Sequence, residues 1–220
     1  MEFWPLYLMT EHLNTYLYEK NPKSTETRNF QDIMGRKGVP LSNYLPLKII
    51  NRKVHYDPDF DSFTYVDEGV KAKYLKKLDK NDYLVFYAGL TPYCDEKQED
   101  ALYIIGYLRV EKIIDFKKLN QDQKKKFRKK YSTNSHLKRP EPPDKEMVLI
   151  VGNVTGNKLL DKAVSLSKPK LDKRRRAYHA VSPHMERNLG ITGSIQRSIP
   201  PRFITDTEKL QNLMEILNIP

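Results

Sequence analysis

The chain has 220 residues, of which 39% are hydrophobic and 10% aromatic, and it carries 39 Lys and Arg against 28 Asp and Glu for a formal net charge of +11. That length suits one large domain, and the apolar content is enough to build a core, which excludes a disordered chain as the starting assumption. A single cysteine, Cys94, excludes an internal disulfide and a zinc site made of thiolates, and no run approaches the ~20 apolar residues of a membrane span.

Taken in chain order, residues 1–46 read as an irregular amino-terminal segment with short elements, because Pro5, Pro22, Gly35, Gly38, Pro40 and Pro46 interrupt it. The first residues lack the basic start and apolar run of a secretory leader, so a cytoplasmic protein is expected. Residues 47–220 read as the main domain. Leu47 to Tyr56 has the composition of a strand, and Asp57-Pro58-Asp59 then makes a turn. Val70, Tyr74, Leu75 and Leu78 fall at helical spacing and predict a helix within 67–78. Tyr83 to Ala88 and Leu102 to Val110 are β-branched and aromatic, predicting two strands of a hairpin around the acidic loop 91–100. Gly89 and Gly106 mark a bulge, a barrel bend or a close approach by another backbone or a ligand there, with packing the simpler account.

Phe116, Leu119, Phe127 and Tyr131 share one face of a predicted basic amphipathic helix, which Pro140, Pro142 and Pro143 close off. Glu146 to Val151 predicts a third strand, and the spacing of Leu159, Leu160, Ala163 and Leu166 predicts a helix over 158–166. A last helix is expected from Leu210, Leu213, Met214 and Leu217, with Thr205 and Glu208 as its capping box. The fold class is α+β: one domain with a twisted, barrel-like mixed sheet and peripheral helices.

The positive charge is unevenly placed. Lys117 to Arg139 holds ten Lys and Arg against one Asp, and Lys168 to Arg176 holds six against one. Clustered cations suit a polyphosphate partner, since each neutralised phosphate releases condensed counterions. Lys124, Lys125, Arg128, Arg174 and Arg175 are the candidate contacts in these clusters. The plainer reading of a Lys-rich run is a solvated face, and the presence of two clusters favours the functional one.

Other chemistry finds little support. Gly152 to Lys158 follows a predicted strand and precedes a predicted helix, but its glycines are too close for a phosphate-binding loop and Leu159 stands where a hydroxyl should ligate magnesium. A strand-to-helix turn is the simpler account, with one phosphate at the helix start as the alternative. His179, His184 and Glu186 match no zinc spacing, and Asp57, Asp59, Asp61, Asp67 and Glu68 read as an acidic turn in preference to a two-metal site. No metal site or cofactor is therefore assigned. Gly193 to Phe203 is more suggestive: Pro200 and Pro201 stiffen a segment in which Gln196, Arg197 and Arg202 offer donors to base edges or phosphates. A buried strap, with arginines on backbone carbonyls, is the equal alternative.

Several blocks together resemble the nucleotide-modification-associated domain 3 family. They are His55 to Tyr65, Asp82 to Leu90, Tyr103 to Tyr107, Asn134 to Arg139, Leu149 to Gly152, Leu159 to Ala163, and the Gly193 to Arg202 block. Val66 departs from the glycine usual in the family, and the family's glycine-rich start is not evident in residues 1–46. The resemblance implies a setting in DNA base modification, with DNA or a nucleotide as partner, RNA as a further one, and modification enzymes alongside. By analogy of fold with the pseudo-barrels that read modified bases (the PUA, ASCH and EVE group), Tyr65, Tyr87 and Tyr107 are candidates to sandwich a base. His136, Lys138 and Arg139 are candidates for edge and phosphate contacts. The leading expectation is a nucleic-acid-binding protein that recognises a modified base. The alternatives are an enzyme acting on a base or nucleotide, with His136 and either Asp57 or Tyr87 as acid and base, and a scaffold for a modifying enzyme.

Overall fold

The computed structural model describes residues 4–8, 29, 40–44, 47–51, 58–90, 100–139, 146–195 and 201–219. Nine strands, five α-helices and two short 3-10 turns (Leu41–Tyr44 and Phe116–Lys118) are described: β1 (Trp4–Leu8), α1 (Leu47–Ile50), β2 (Thr64–Glu68), α2 (Val70–Leu75), β3 (Tyr83–Leu90) and β4 (Ala101–Asp115) come first. They are followed by α3 (Gln121–Lys130), β5 (Met147–Gly152), β6 (Lys158–Ser165), β7 (Ser167–Leu171), β8 (Ala177–Val181), α4 (Pro183–Leu189), β9 (Arg202–Ile204) and α5 (Thr207–Leu217). The chain is a mixed α+β protein whose seven-stranded sheet runs β2-β5-β4-β3-β1-β9, with β6 also on β4, and β7 and β8 form a separate two-stranded ribbon.

β4 organises the sheet. Its 15 residues are long enough to serve two sets of partners: β3 along one edge, and β6 then β5 along successive parts of the other. The register shifts where Phe86 and Tyr87 face Gly106 and Ile104, so Ile105 is an extra residue, and a second shift falls between Val110 and Lys112. Such bulges bend a strand and raise its twist, and the sheet curls into an antiparallel half-barrel with β1–β3 as its parallel pair. The first bulge also decides burial. Leu102 and Ile104 before it, and Tyr107 after it, pack in the same cluster although their numbers differ in parity.

Three apolar clusters result. Leu84, Phe86, Leu108, Val148, Ile150 and Tyr65 meet on one face of the sheet, closed by Ala72 and Leu75 of α2. On the opposite face, Val85, Tyr87 and Ile104 pack under Met185 and Leu189 of α4 and Leu213 and Leu217 of α5. Val66, Leu149 and Met147 pack against Phe116, Tyr131 and Leu137 at the other end.

The hairpin of β3 and β4, the strand β5 and the terminal helix all form as their residue patterns predict. Other elements differ. Leu47–Ile50 is a helical turn and no strand, while residues 52–57 lie outside the described residues. α2 begins only at Val70, because Asp67 and Glu68 finish β2, and Val70 is exposed. The basic helix α3 is confined to 121–130: Phe116 sits in a preceding short turn of 3-10 helix, and Asn120 with Gln123 forms the capping box that starts α3. α5 is capped by Asp206, whose carboxylate accepts from Lys209 N at 3.0 Å, and Thr205 is not the cap. Residues 158–165 are strand β6, not helix. The reason is the free edge of β4: a helix would leave the backbone of residues 103–107 unpaired in a buried setting, whereas β6 closes that edge.

Candidate functional site

The phosphate-loop reading of 152–158 loses its helix with that correction. The segment is the turn from β5 to β6, wrapped on Arg109: Asn153 N donates to the Arg109 carbonyl (2.7 Å), and Arg109 N donates to Asn157 Oδ1 (2.9 Å). Thr155 N donates to Asn153 Oδ1 at 2.8 Å, so these amides serve the turn itself.

The three candidate tyrosines are divided between two faces of the sheet. Tyr65 lies in the cluster closed by α2, with its ring edge-on to Phe86 and its hydroxyl donating to Asp67. Tyr87 and Tyr107 lie in the cluster on the other face. Tyr87 is fully buried, and its hydroxyl donates to the Ile195 carbonyl at 2.9 Å. Burial pushes its phenol well above the ordinary range, against a smaller opposing effect of Arg202. Tyr107 stacks at a tilt on Tyr83, and burial likewise raises its phenol. The three rings do not share one pocket.

His136 stands elsewhere again, on the turn that follows α3, with Nδ1 3.5 Å from Glu68 Oε1 of β2. A polar frame joins this turn to β2. His136 N donates to Asn134 Oδ1 (3.0 Å), Asn134 Nδ2 donates to Thr64 Oγ1 (3.3 Å), and Thr64 Oγ1 lies 2.8 Å from Ser62 Oγ. Ser62 Oγ in turn donates to Asp59 Oδ2 at 2.6 Å, and Asp59 Oδ1 accepts from the backbone N–H of Asp61 and Ser62. Asp59, Thr64 and Asn134 are all buried. Buried polar groups at this density hold a unique geometry only when each finds its partner; here the frame holds the His136 backbone against β2, and the pairing of Glu68 with Met147 places the carboxylate. Sequence reasoning singled out His136 but missed Glu68, Asn134 and Thr64 as its neighbours. The acidic turn around Asp59 is an Asx-type turn, as its composition suggests, and no group of three metal-binding side chains is assembled among the described residues.

The basic candidates divide by what they touch. Arg128 is committed to the fold: Nη1 donates to the carbonyls of Leu137 (2.7 Å) and Arg139, and its guanidinium lies over the Phe116 ring. Lys138 and Arg139 are half-buried on the same turn, and Lys124 is half-buried on α3. Lys125, Lys126, Lys129 and Lys130 are exposed along α3. Arg174 and Arg175 are exposed at the tip of the β7–β8 ribbon, an element the sequence reading did not identify. Arg202 starts β9, half-buried; Nη2 donates to the Ser194 carbonyl at 3.5 Å, and its buried Nε has no partner. Gln196, Arg197 and Asp57 lie outside the described residues.

The family model of nucleotide modification associated domain 3 matches residues 15–198. The chain belongs to this family. No curated protein and no solved structure matches it. Within the nucleotide modification associated domain, the Asp59–Tyr65 and Asn134–Arg139 blocks that carry the resemblance meet in space, through the bond of Asn134 to Thr64. The domain's name places the chain in the context of nucleotide modification. No helix among the described residues is long and apolar enough to cross a membrane.

Proposed function

We propose that this chain binds nucleic acid as part of a nucleotide-modification system, with a modified base as the feature it recognises. The observation that carries this reading is the pair of exposed cationic surfaces, one along α3 and one on the β7–β8 ribbon. Such surfaces draw a phosphate backbone through counterion release, and the phosphates supply affinity whatever the bases say. The buried tyrosines supply no base sandwich in their present packing, so the reading rests on charge. The test is anisotropy of labelled duplexes, modified and unmodified, with the full chain at low salt. Binding that is stronger for a modified duplex supports both parts; equal binding removes modified-base recognition; no binding to either removes the proposal.

The His136–Glu68 pair favours a second reading, an enzyme acting on a base or nucleotide. A histidine beside a carboxylate, held by a buried frame, is the arrangement that orients an imidazole for proton transfer. Mass spectrometry of nucleotides and DNA incubated with the chain tests it. A conversion lost in His136→Ala supports the reading, and no conversion by the intact chain counts against it.

A further inference from the structure

We propose that the β7–β8 ribbon is the element that enters the major groove of a B-form DNA duplex; this rests on the nucleic-acid-binding reading above and assigns its surface and substrate. Of its five residue pairs, Ser167↔Val181 to Leu171↔Ala177, those at the root are flanked by residues 193–195 along β8, and the part from Pro169↔His179 outward, about 10 Å plus the 172–176 turn, stands as two strands alone among the described residues. Two strands side by side fit a groove about 12 Å wide, and the deep, narrow major groove of A-form RNA refuses them.

The ribbon is hydrogen-bonded into place at its root and closed by hydrogen bonds at its tip. At its root Ser167 and Val181 are buried, Leu102 N donates to Ser167 Oγ (2.8 Å) and Val181 N donates to the Gly193 carbonyl (3.0 Å). At its tip Asp172 closes the turn. Its N–H donates to the Arg176 carbonyl (3.0 Å), its own carbonyl accepts from Arg175 N (2.9 Å), and its carboxylate accepts from the N–H groups of Arg174 and Arg176. An element already ordered in this way loses little entropy when it docks.

The closing of the tip also sets the charge. The one carboxylate of the ribbon pairs with Arg176 (2.7 Å) and with the turn backbone. Lys168, Lys170, Lys173, Arg174 and Arg175 are exposed and have no acidic partner among the described residues. Lys168 and Lys170 project on one face, while Leu171, 66% exposed, stands on the other beside the tip. An apolar side chain next to a cationic tip suits the thymine methyl that lines the major groove. Pro169 removes a donor from β7 and so discourages pairing with a strand of another protein, which favours a duplex as the occupant.

The experiment uses the full chain with a B-form DNA duplex, an RNA duplex and a DNA single strand of matched sequence. It compares Lys173→Ala/Arg174→Ala/Arg175→Gly with the α3 variant Lys125→Ala/Lys126→Ala/Lys129→Ala. Glycine suits position 175, where φ is 58°. The intact chain should prefer the DNA duplex, methyl green in the major groove should compete, and netropsin in the minor groove should not. The ribbon variant should melt as the intact chain does but bind at least about 10-fold more weakly, with a salt slope lower by about two to three units. If the intact chain binds DNA and the ribbon variant binds equally well, the ribbon assignment falls while the nucleic-acid-binding reading stands. Preference for RNA duplex or single strand, or competition by netropsin alone, overturns the groove assignment. If the intact chain binds no nucleic acid, both fall.

Discussion

Arg128 and Lys129 are neighbours on α3 with opposite roles. The Arg128 guanidinium ties the end of the Leu137–Arg139 turn to the helix, so Arg128→Ala strands two carbonyls and should cost about 1–3 kcal/mol of stability. Lys129 is exposed, and Lys129→Ala should leave the melting temperature unchanged while weakening nucleic-acid binding slightly. Thermal melts and binding isotherms of the two variants check the contrast. Tyr87 makes a prediction about pH. Its phenol is raised by burial, and an unfolded tyrosine titrates near ~10, so the stability tied to the neutral phenol is complete below about pH 10 and is lost as pH rises above it. Tyr87→Phe should start less stable, because the Ile195 carbonyl loses its donor, yet fall less steeply above pH 10. Denaturant unfolding at pH 8 and pH 10.5 measures both effects.

Among the elements, the bulge of β4 at Ile105 has the sharpest steric signature. A Cβ at Gly106 would lie 2.5 Å from the Lys158 carbonyl oxygen and 2.7 Å from the Phe60 ring. The carbonyl belongs to the backbone of β6 and cannot swing aside, so Gly106→Ala should destabilise by about 1–3 kcal/mol, and a urea midpoint reads it. This glycine was legible in the sequence as a bend or a close approach, and both hold. β3, β4 and β5 were legible because their apolar runs are β-branched or aromatic and bounded by turns. β6 was misread because Leu159, Leu160 and Ala163 fit a helical spacing, and only the unpaired edge of β4 decides for a strand. The β7–β8 ribbon was hidden by composition: Lys168, Pro169 and Lys170 carry no strand signal, and the turn chemistry of Asp172 outweighs them. Local residue type could not say whether Tyr65, Tyr87 and Tyr107 line a site or fill a core. That depends on which face of a curled sheet each one takes, and a single bulge changes it.

At the scale of the whole molecule, the +11 charge gathers in the segments around α3 and the β7–β8 ribbon. These stand apart in the fold: α3 packs over the end of the half-barrel at Phe116, while the ribbon roots near Leu166 and Val181 at the other cluster. A cation distribution of this kind predicts association that is governed by salt. The dependence of log K on log salt for the full chain with a B-form DNA duplex tests this most directly. The account predicts a straight line falling by about 0.9 for each phosphate neutralised, with a total slope steeper than about −3, matching several lysines and arginines in contact. A flat line, or no binding at about 50 mM salt where such contacts are strongest, would contradict it.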